Sequence, residues 1–85
     1  MSVTVVYKDA SEHSRSVTEF LRDFERQTAE KLATLDPDTR EGAEFCRIYD
    51  VVEYPSIVAT AHDGQLRNIW RGVPLPTINE VSYYV

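Results

Sequence analysis

The hydrophobic positions change their spacing within the first third of the chain. Val3, Val5, Val6 and Tyr7 belong to a β-branched and aromatic run that ends at the polar turn Lys8-Asp9-Ala10-Ser11, the pattern of a buried strand. From about Ser14 the apolar residues recur instead as Val17, Phe20, Leu21 and Phe24, at i, i+3, i+4 and i+7. Arg15, Glu19, Arg22, Asp23 and Arg26 take the opposite side, so the spacing predicts an amphipathic helix. Ser11 or Ser14 is placed to cap its first turn by accepting a hydrogen bond from a free backbone N–H.

Glu30 to Leu35 reads as a weaker second strand, ended by Asp36-Pro37-Asp38-Thr39. Asp36 before Pro37 has the form of an N-cap followed by a residue favoured in the first helical turn, and Asp38 and Glu41 suit the positive end of a helix dipole. A second helix is expected there, with Gly42, Phe45, Cys46 and Tyr49 along one face. Ser56 to Ala61 and Gln65 to Arg71 then form a hairpin around His62-Asp63-Gly64, in which Asp63 and Gly64 are expected to take the positive-φ turn positions. Gly72-Val73-Pro74-Leu75-Pro76 breaks the strand. Thr77 with Glu80 three residues on is a capping-box pattern that opens a short helix to Tyr84.

The order is therefore β-α-β-α-β-β-α. Helices between the first three strands predict right-handed crossovers, and the hairpin adds an antiparallel pair, giving an α/β fold with a mixed four-stranded sheet and helices on both faces. Eighty-five residues, 42% of them apolar, supply one core and no second, so residues 1–85 are read as one domain.

Charge and cysteine content narrow the chemistry. Fourteen acids against nine bases leave a net charge of −5, which removes the electrostatic basis for gripping nucleic acid or an anionic membrane. Six of those acids, against two bases, fall between Asp36 and Glu53; a solvated helix face explains them, as would steering of a basic partner. No apolar run approaches the roughly 20 residues of a bilayer span. Met1-Ser2-Val3-Thr4 leads straight into a strand without a basic and apolar leader, so a cytoplasmic location is expected. Cys46 is the only thiol, so neither an intrachain disulfide nor a cysteine-based zinc site is available. His13 and His62 form no His-x-x-x-His pair, and neither a metal nor another cofactor is expected.

In its second half the chain resembles the thioredoxin-like superfamily. Val51-Val52-Glu53-Tyr54-Pro55-Ser56 is similar to the loop and cis-proline before that fold's third strand, Asp63-Gly64 to its hairpin turn, and Gly72 to the glycine that ends its last strand. Where a thioredoxin or glutaredoxin has Cys-x-x-Cys between its first strand and first helix, this sequence has Ser11-Glu12-His13-Ser14. The resemblance implies a single thioredoxin-like domain, with a groove formed by Ser11, Glu12, His13, Ser14, Tyr54, Pro55, Gly72 and Val73. A serine hydroxyl forms no disulfide and does not ionise near neutral pH, so the dithiol exchange of that superfamily is not expected, and no residue is assigned as catalytic. Ser11 and His13, two positions apart at a helix start, are not a convincing nucleophile and base. Cys46, on the inner face of its helix, reads as a buried structural thiol.

Three functions compete. A redox-inactive domain that binds a protein or extended peptide through the former active-site groove comes first, because groove geometry depends on backbone rather than thiols. A glutathione-binding, glutaredoxin-like protein is the alternative. The resemblance offers Lys8 for it as a candidate anion ligand, beside a helix start with free N–H groups, although Arg71-Gly72-Val73-Pro74 lacks the glycine pair and acidic residue of such a site. The third is a structural, subunit-like domain that docks through its acidic helix or a sheet edge.

Overall fold

The computed structural model describes residues 1–85. Seven elements follow the expected order: β1 (Ser2–Val6), α1 (Ser14–Thr28), β2 (Ala33–Leu35), α2 (Arg40–Tyr49), β3 (Ser56–Thr60), β4 (Leu66–Arg71) and α3 (Ile78–Ser82). They form one mixed sheet in the order β2-β1-β3-β4.

Period-two alternation divides the side chains of this sheet into two cores. Val3 and Val5 of β1 and Ile57 and Ala59 of β3 meet Val17 and Phe24 of α1 and Val81 of α3, with Phe20, Leu21, Trp70 and Ile78 packed around them. Val6 and Val58, one residue out of phase, meet Cys46 and Val51 on the opposite face, beside Phe45, Tyr49, Tyr54 and Ile69. Thus α1 and α3 cover one face and α2 the other. The helical spacings in the sequence select the right residues: Val17 and Phe24 are fully buried on α1, and Gly42 and Cys46 are the buried residues of α2.

Several local expectations are corrected. Only β1 and β2 are parallel; β3 runs antiparallel to β1, so α2 does not link parallel strands by a crossover. The cause is that Val6 pairs with both Leu35 and Ser56, so β2 ends and β3 begins at the same end of the sheet. Glu30 to Leu32 stay outside β2, where Glu30 N–H donates to the Thr28 hydroxyl and Leu32 is buried.

Neither Ser11 nor Ser14 caps α1. His13 stands at the N-cap with no side-chain bond to the helix, Ser14 is the first helical residue, and the Ser11 hydroxyl donates instead to the Lys8 carbonyl. Asp36 does not cap α2 either. It closes its own turn, accepting from Asp38 N–H at 2.8 Å, while Thr39 takes the cap and accepts from Gly42 N–H at 3.0 Å. This arrangement leaves no room for a side chain at Gly42, where a Cβ would collide with the Asp36 carbonyl.

In the hairpin only Gly64 has positive φ, at 85°. Its N–H donates to the Ala61 carbonyl, and Asp63 accepts from Gln65 N–H at 3.0 Å, so the loop has three residues and the register shifts beside Thr60. The capping box of α3 is complete: Thr77 and Glu80 each accept from the other's backbone N–H at 3.1 Å. No helix is long and apolar enough to cross a membrane.

Candidate functional site

Strand register brings four connections to one end of the sheet. Val6 at the end of β1 pairs with Leu35 at the end of β2 and with Ser56 at the start of β3, and Ser56 pairs with Arg71 at the end of β4. The loop into α1, the turn into α2, the Tyr54-Pro55 segment and the Gly72-Val73 exit therefore converge there.

Each segment is anchored by its own bonds. In the first loop Lys8 N–H donates to His13 Nε2 at 3.4 Å, Ser11 Oγ donates to the Lys8 carbonyl at 2.5 Å, and Ser14 N–H donates to the Ser11 carbonyl at 3.3 Å. Ser11 and His13 are thus bonded to opposite sides of Lys8 and not to each other, which leaves them without the contact a nucleophile and base require. The first turn of α1 has no acidic residue and no side-chain cap, so part of its N–H set stays unpartnered at the groove's edge.

Across from it, the Tyr54–Pro55 and Val73–Pro74 bonds are both cis. Pro55 is buried and its carbonyl accepts from Gly72 N–H at 2.7 Å; Ser56, fully buried, donates through Oγ to the Glu53 carbonyl. Gly72 has φ of 74°, and a Cβ there would run into the Glu53 carboxylate. It is therefore a structural joint between the two segments, and that joint leaves the neighbouring backbone free. Neither the N–H nor the C=O of Tyr54 is bonded within the chain, and Val73 N–H also has no partner.

Glu12, His13, Tyr54, Pro55 and Val73 line a cavity of about 380 Å³ together with Ser16. Five of the residues expected at the groove are thereby brought together. Ser11, Ser14 and Gly72 lie in the adjoining segments without lining it. Ser16 was missed because it reads as one more polar position of α1; its signal is the helical spacing, four and three residues beyond Glu12 and His13. Val73 is 65% exposed, a large apolar side chain held open to water at the cavity wall.

Lys8 is already engaged. Its ammonium lies 3.6 Å from Asp38 and 5.4 Å from the centre of the Tyr54 ring. Tyr54 also packs against the second core, which holds Cys46, 8% exposed. Burial pushes the Cys46 thiol up, against a smaller opposing effect of the Tyr54 hydroxyl, and burial followed by the charge of the Cys46 thiolate pushes Tyr54 up as well. Both groups favour their neutral forms in the folded state. That contribution to stability is complete below their ordinary pKa values and is lost as pH rises through the raised ones. Cys46 should therefore react with iodoacetamide at pH 8 on the order of a hundred-fold more slowly in the native protein than in urea, because alkylation has to wait for opening. Equal rates would place the thiol at the surface.

No protein-family model and no curated protein matches the sequence. Among solved structures, thioredoxin 1 from the thermophilic eubacterium Thermosipho africanus TCF52B superposes on 99% of this chain and 89% of its own, with a TM-score of 0.67 and 11% sequence identity. The fold is thioredoxin-like. The cavity thus lies at the end of the thioredoxin-like sheet where α1 begins, and the serine-flanked turn Ser11-Glu12-His13-Ser14 forms the loop into that helix. A single cysteine is present, on α2 and in the second core rather than on that loop.

Proposed function

We propose that this chain is a single thioredoxin-like domain that carries out no dithiol chemistry and binds an extended segment of a partner protein in the cavity between α1 and the Tyr54-Pro55 loop. The observation that carries it is the backbone of Tyr54, whose N–H and C=O are both unspent beside an open cavity. An extended peptide supplies the matching carbonyl and amide, as a strand added to a sheet edge does. Val73 and Pro55 offer apolar contact for a side chain of that segment, and the uncapped start of α1 offers N–H donors to its carbonyls. The chain's net charge of −5 favours a neutral or basic segment over an acidic one.

This recognition needs no thiol, because none of the contacts uses sulfur. No comparable observation favours glutathione: the Lys8 ammonium is engaged by Asp38 and the Tyr54 ring, and no lysine or arginine lines the cavity.

Selection from a random peptide display library, followed by amide NMR titration, tests the proposal. Selected peptides should shift the Tyr54, Val73 and Ser16 amides, and Val73→Glu should weaken them by at least about ten-fold, the effect of one lost apolar anchor plus a buried charge. Peptides that bind equally well to Val73→Glu, or a library that yields none, would remove the groove from consideration.

A further inference from the structure

A second cavity, of about 250 Å³, lies away from the groove, where β4 meets α3. Asn68, Trp70, Glu80, Tyr83 and Tyr84 line it. Its aromatic rings stand nearly at right angles: Trp70 and Tyr84 at 75° with centres 5.5 Å apart, Tyr83 and Tyr84 at 80° with centres 5.1 Å apart. In each pair an edge of one ring meets a face of its neighbour, and any ring face left open to the cavity is an electron-rich surface.

The corner is held in shape before any ligand arrives. Asn68 Nδ2 donates to the Tyr84 hydroxyl at 3.2 Å while Asn68 Oδ1 accepts from Ile69 N–H, and Tyr84 N–H donates to the Val81 carbonyl. Trp70 and Tyr84 are packed on the first core, whereas Tyr83 is 76% exposed. Glu80 is fixed by the α3 capping box, and the Thr77 backbone N–H, ahead of its hydroxyl, holds the carboxyl below the usual range, so it is ionised at neutral pH.

No cation of the chain serves this corner. Lys8 over Tyr54 is the only cation–π contact, and Glu80 belongs to none of the ion pairs. Arg71 alternates on β4 with Trp70 and so falls on the opposite face, where it donates to the Asp50 carbonyl, and Arg67, at the register shift, does not line the cavity. Three rings and a carboxylate thus lack the positive partner that their chemistry suits.

We propose that Trp70, Tyr83, Tyr84 and Glu80 form a binding site for a methylated ammonium group. A plain lysine ammonium is strongly hydrated and asks for three acceptors, which a wall of rings does not supply. Methylation removes those donors and spreads the charge over a surface that fits against aromatic faces. The space of about 250 Å³ accommodates a trimethylammonium head. The same head occurs on choline and on a trimethylated lysine side chain.

Trp70 is the only tryptophan, so its fluorescence reports on this corner alone. Titration with choline chloride should change it saturably, and 3,3-dimethyl-1-butanol, of the same shape without the charge, should bind at least about ten-fold more weakly. Tyr83→Leu should abolish the response with melting behaviour unchanged, since that side chain is largely in water. Glu80→Gln, which keeps an oxygen for the Thr77 bonds, should weaken binding about three-fold or more. A trimethyllysine peptide that binds more tightly than choline would assign the head to a protein; the reverse order would assign it to a small molecule. No saturable change at about 100 mM choline, far above the range of useful affinity, would overturn the proposal, as would equal binding of the uncharged alcohol.

Discussion

Replacing Phe24 by alanine should remove about 3–5 kcal/mol of stability, read by urea unfolding followed through Trp70 fluorescence. Phe24 is the largest fully buried side chain and sits on α1 at the centre of the first core, between the sheet residues Val5 and Ile57 and the α3 residue Val81. Its removal leaves a void that α1 cannot close by shifting, because Val17 one face-repeat earlier is buried to the same degree. An 85-residue domain has a total stability of about 4–13 kcal/mol. A loss of this size therefore takes much of what there is, and its control is Val52→Ala, at a side chain 78% exposed, which should change stability by less than about 0.5 kcal/mol. A Phe24→Ala protein within about 1 kcal/mol of wild type would mean that α1 is not packed on the sheet as described.

The same residue shows why so much of the fold is legible in the sequence. Burial of one helical stripe is imposed by geometry over many residues at once, so Val17 and Phe24, and Gly42 and Cys46, announce themselves, whereas the division of Val5 and Val6 between two cores appears only once the sheet is formed. Helix ends are decided by a single hydrogen bond, and two neighbouring residues often qualify. Asp36 and Thr39 both have capping side chains; the choice between them is made by the Asp36 turn and by the close approach of Gly42 to the Asp36 carbonyl, which no local pattern reveals.

For the site, the residues on each loop are legible but the pairing between loops is not. The engagement of Lys8 with Asp38 and Tyr54 joins positions far apart in sequence, and it turns a candidate anion ligand into part of the wall around Tyr54. Gly72 is recognisable as a strand terminator, yet its bond to the Pro55 carbonyl, and the resulting freedom of the Tyr54 backbone, exist only once β3 and β4 are paired. The aromatic corner was invisible for the same reason: Trp70 and Tyr84 come together through the packing of α3 on the sheet.

The second large effect concerns the loop into α1. With Cys46 changed to alanine, a Ser11→Cys, Ser14→Cys protein should form a disulfide under mild oxidation and reduce insulin disulfides when recycled by a reductant, where the Cys46→Ala parent does neither. Ser14 N–H donates to the Ser11 carbonyl, so the two residues close a turn whose ends lie within about 7 Å. A disulfide spans Cα separations of about 4.4–6.8 Å. The start of α1 lacks both an acidic first-turn residue and a side-chain cap, so its free N–H groups and dipole remain to stabilise a thiolate and lower its pKa below the ordinary value near ~8.5. The cost is the Ser11 hydroxyl bond to the Lys8 carbonyl, about 1 kcal/mol. Thiol counting after oxidation separates the outcomes. Full protection of both new cysteines, with turnover, would show that the scaffold around the loop still supports dithiol exchange and that the serines alone withhold it. Two free thiols after oxidation would mean that positions 11 and 14 do not face each other, and the groove built on that loop would have to be redrawn.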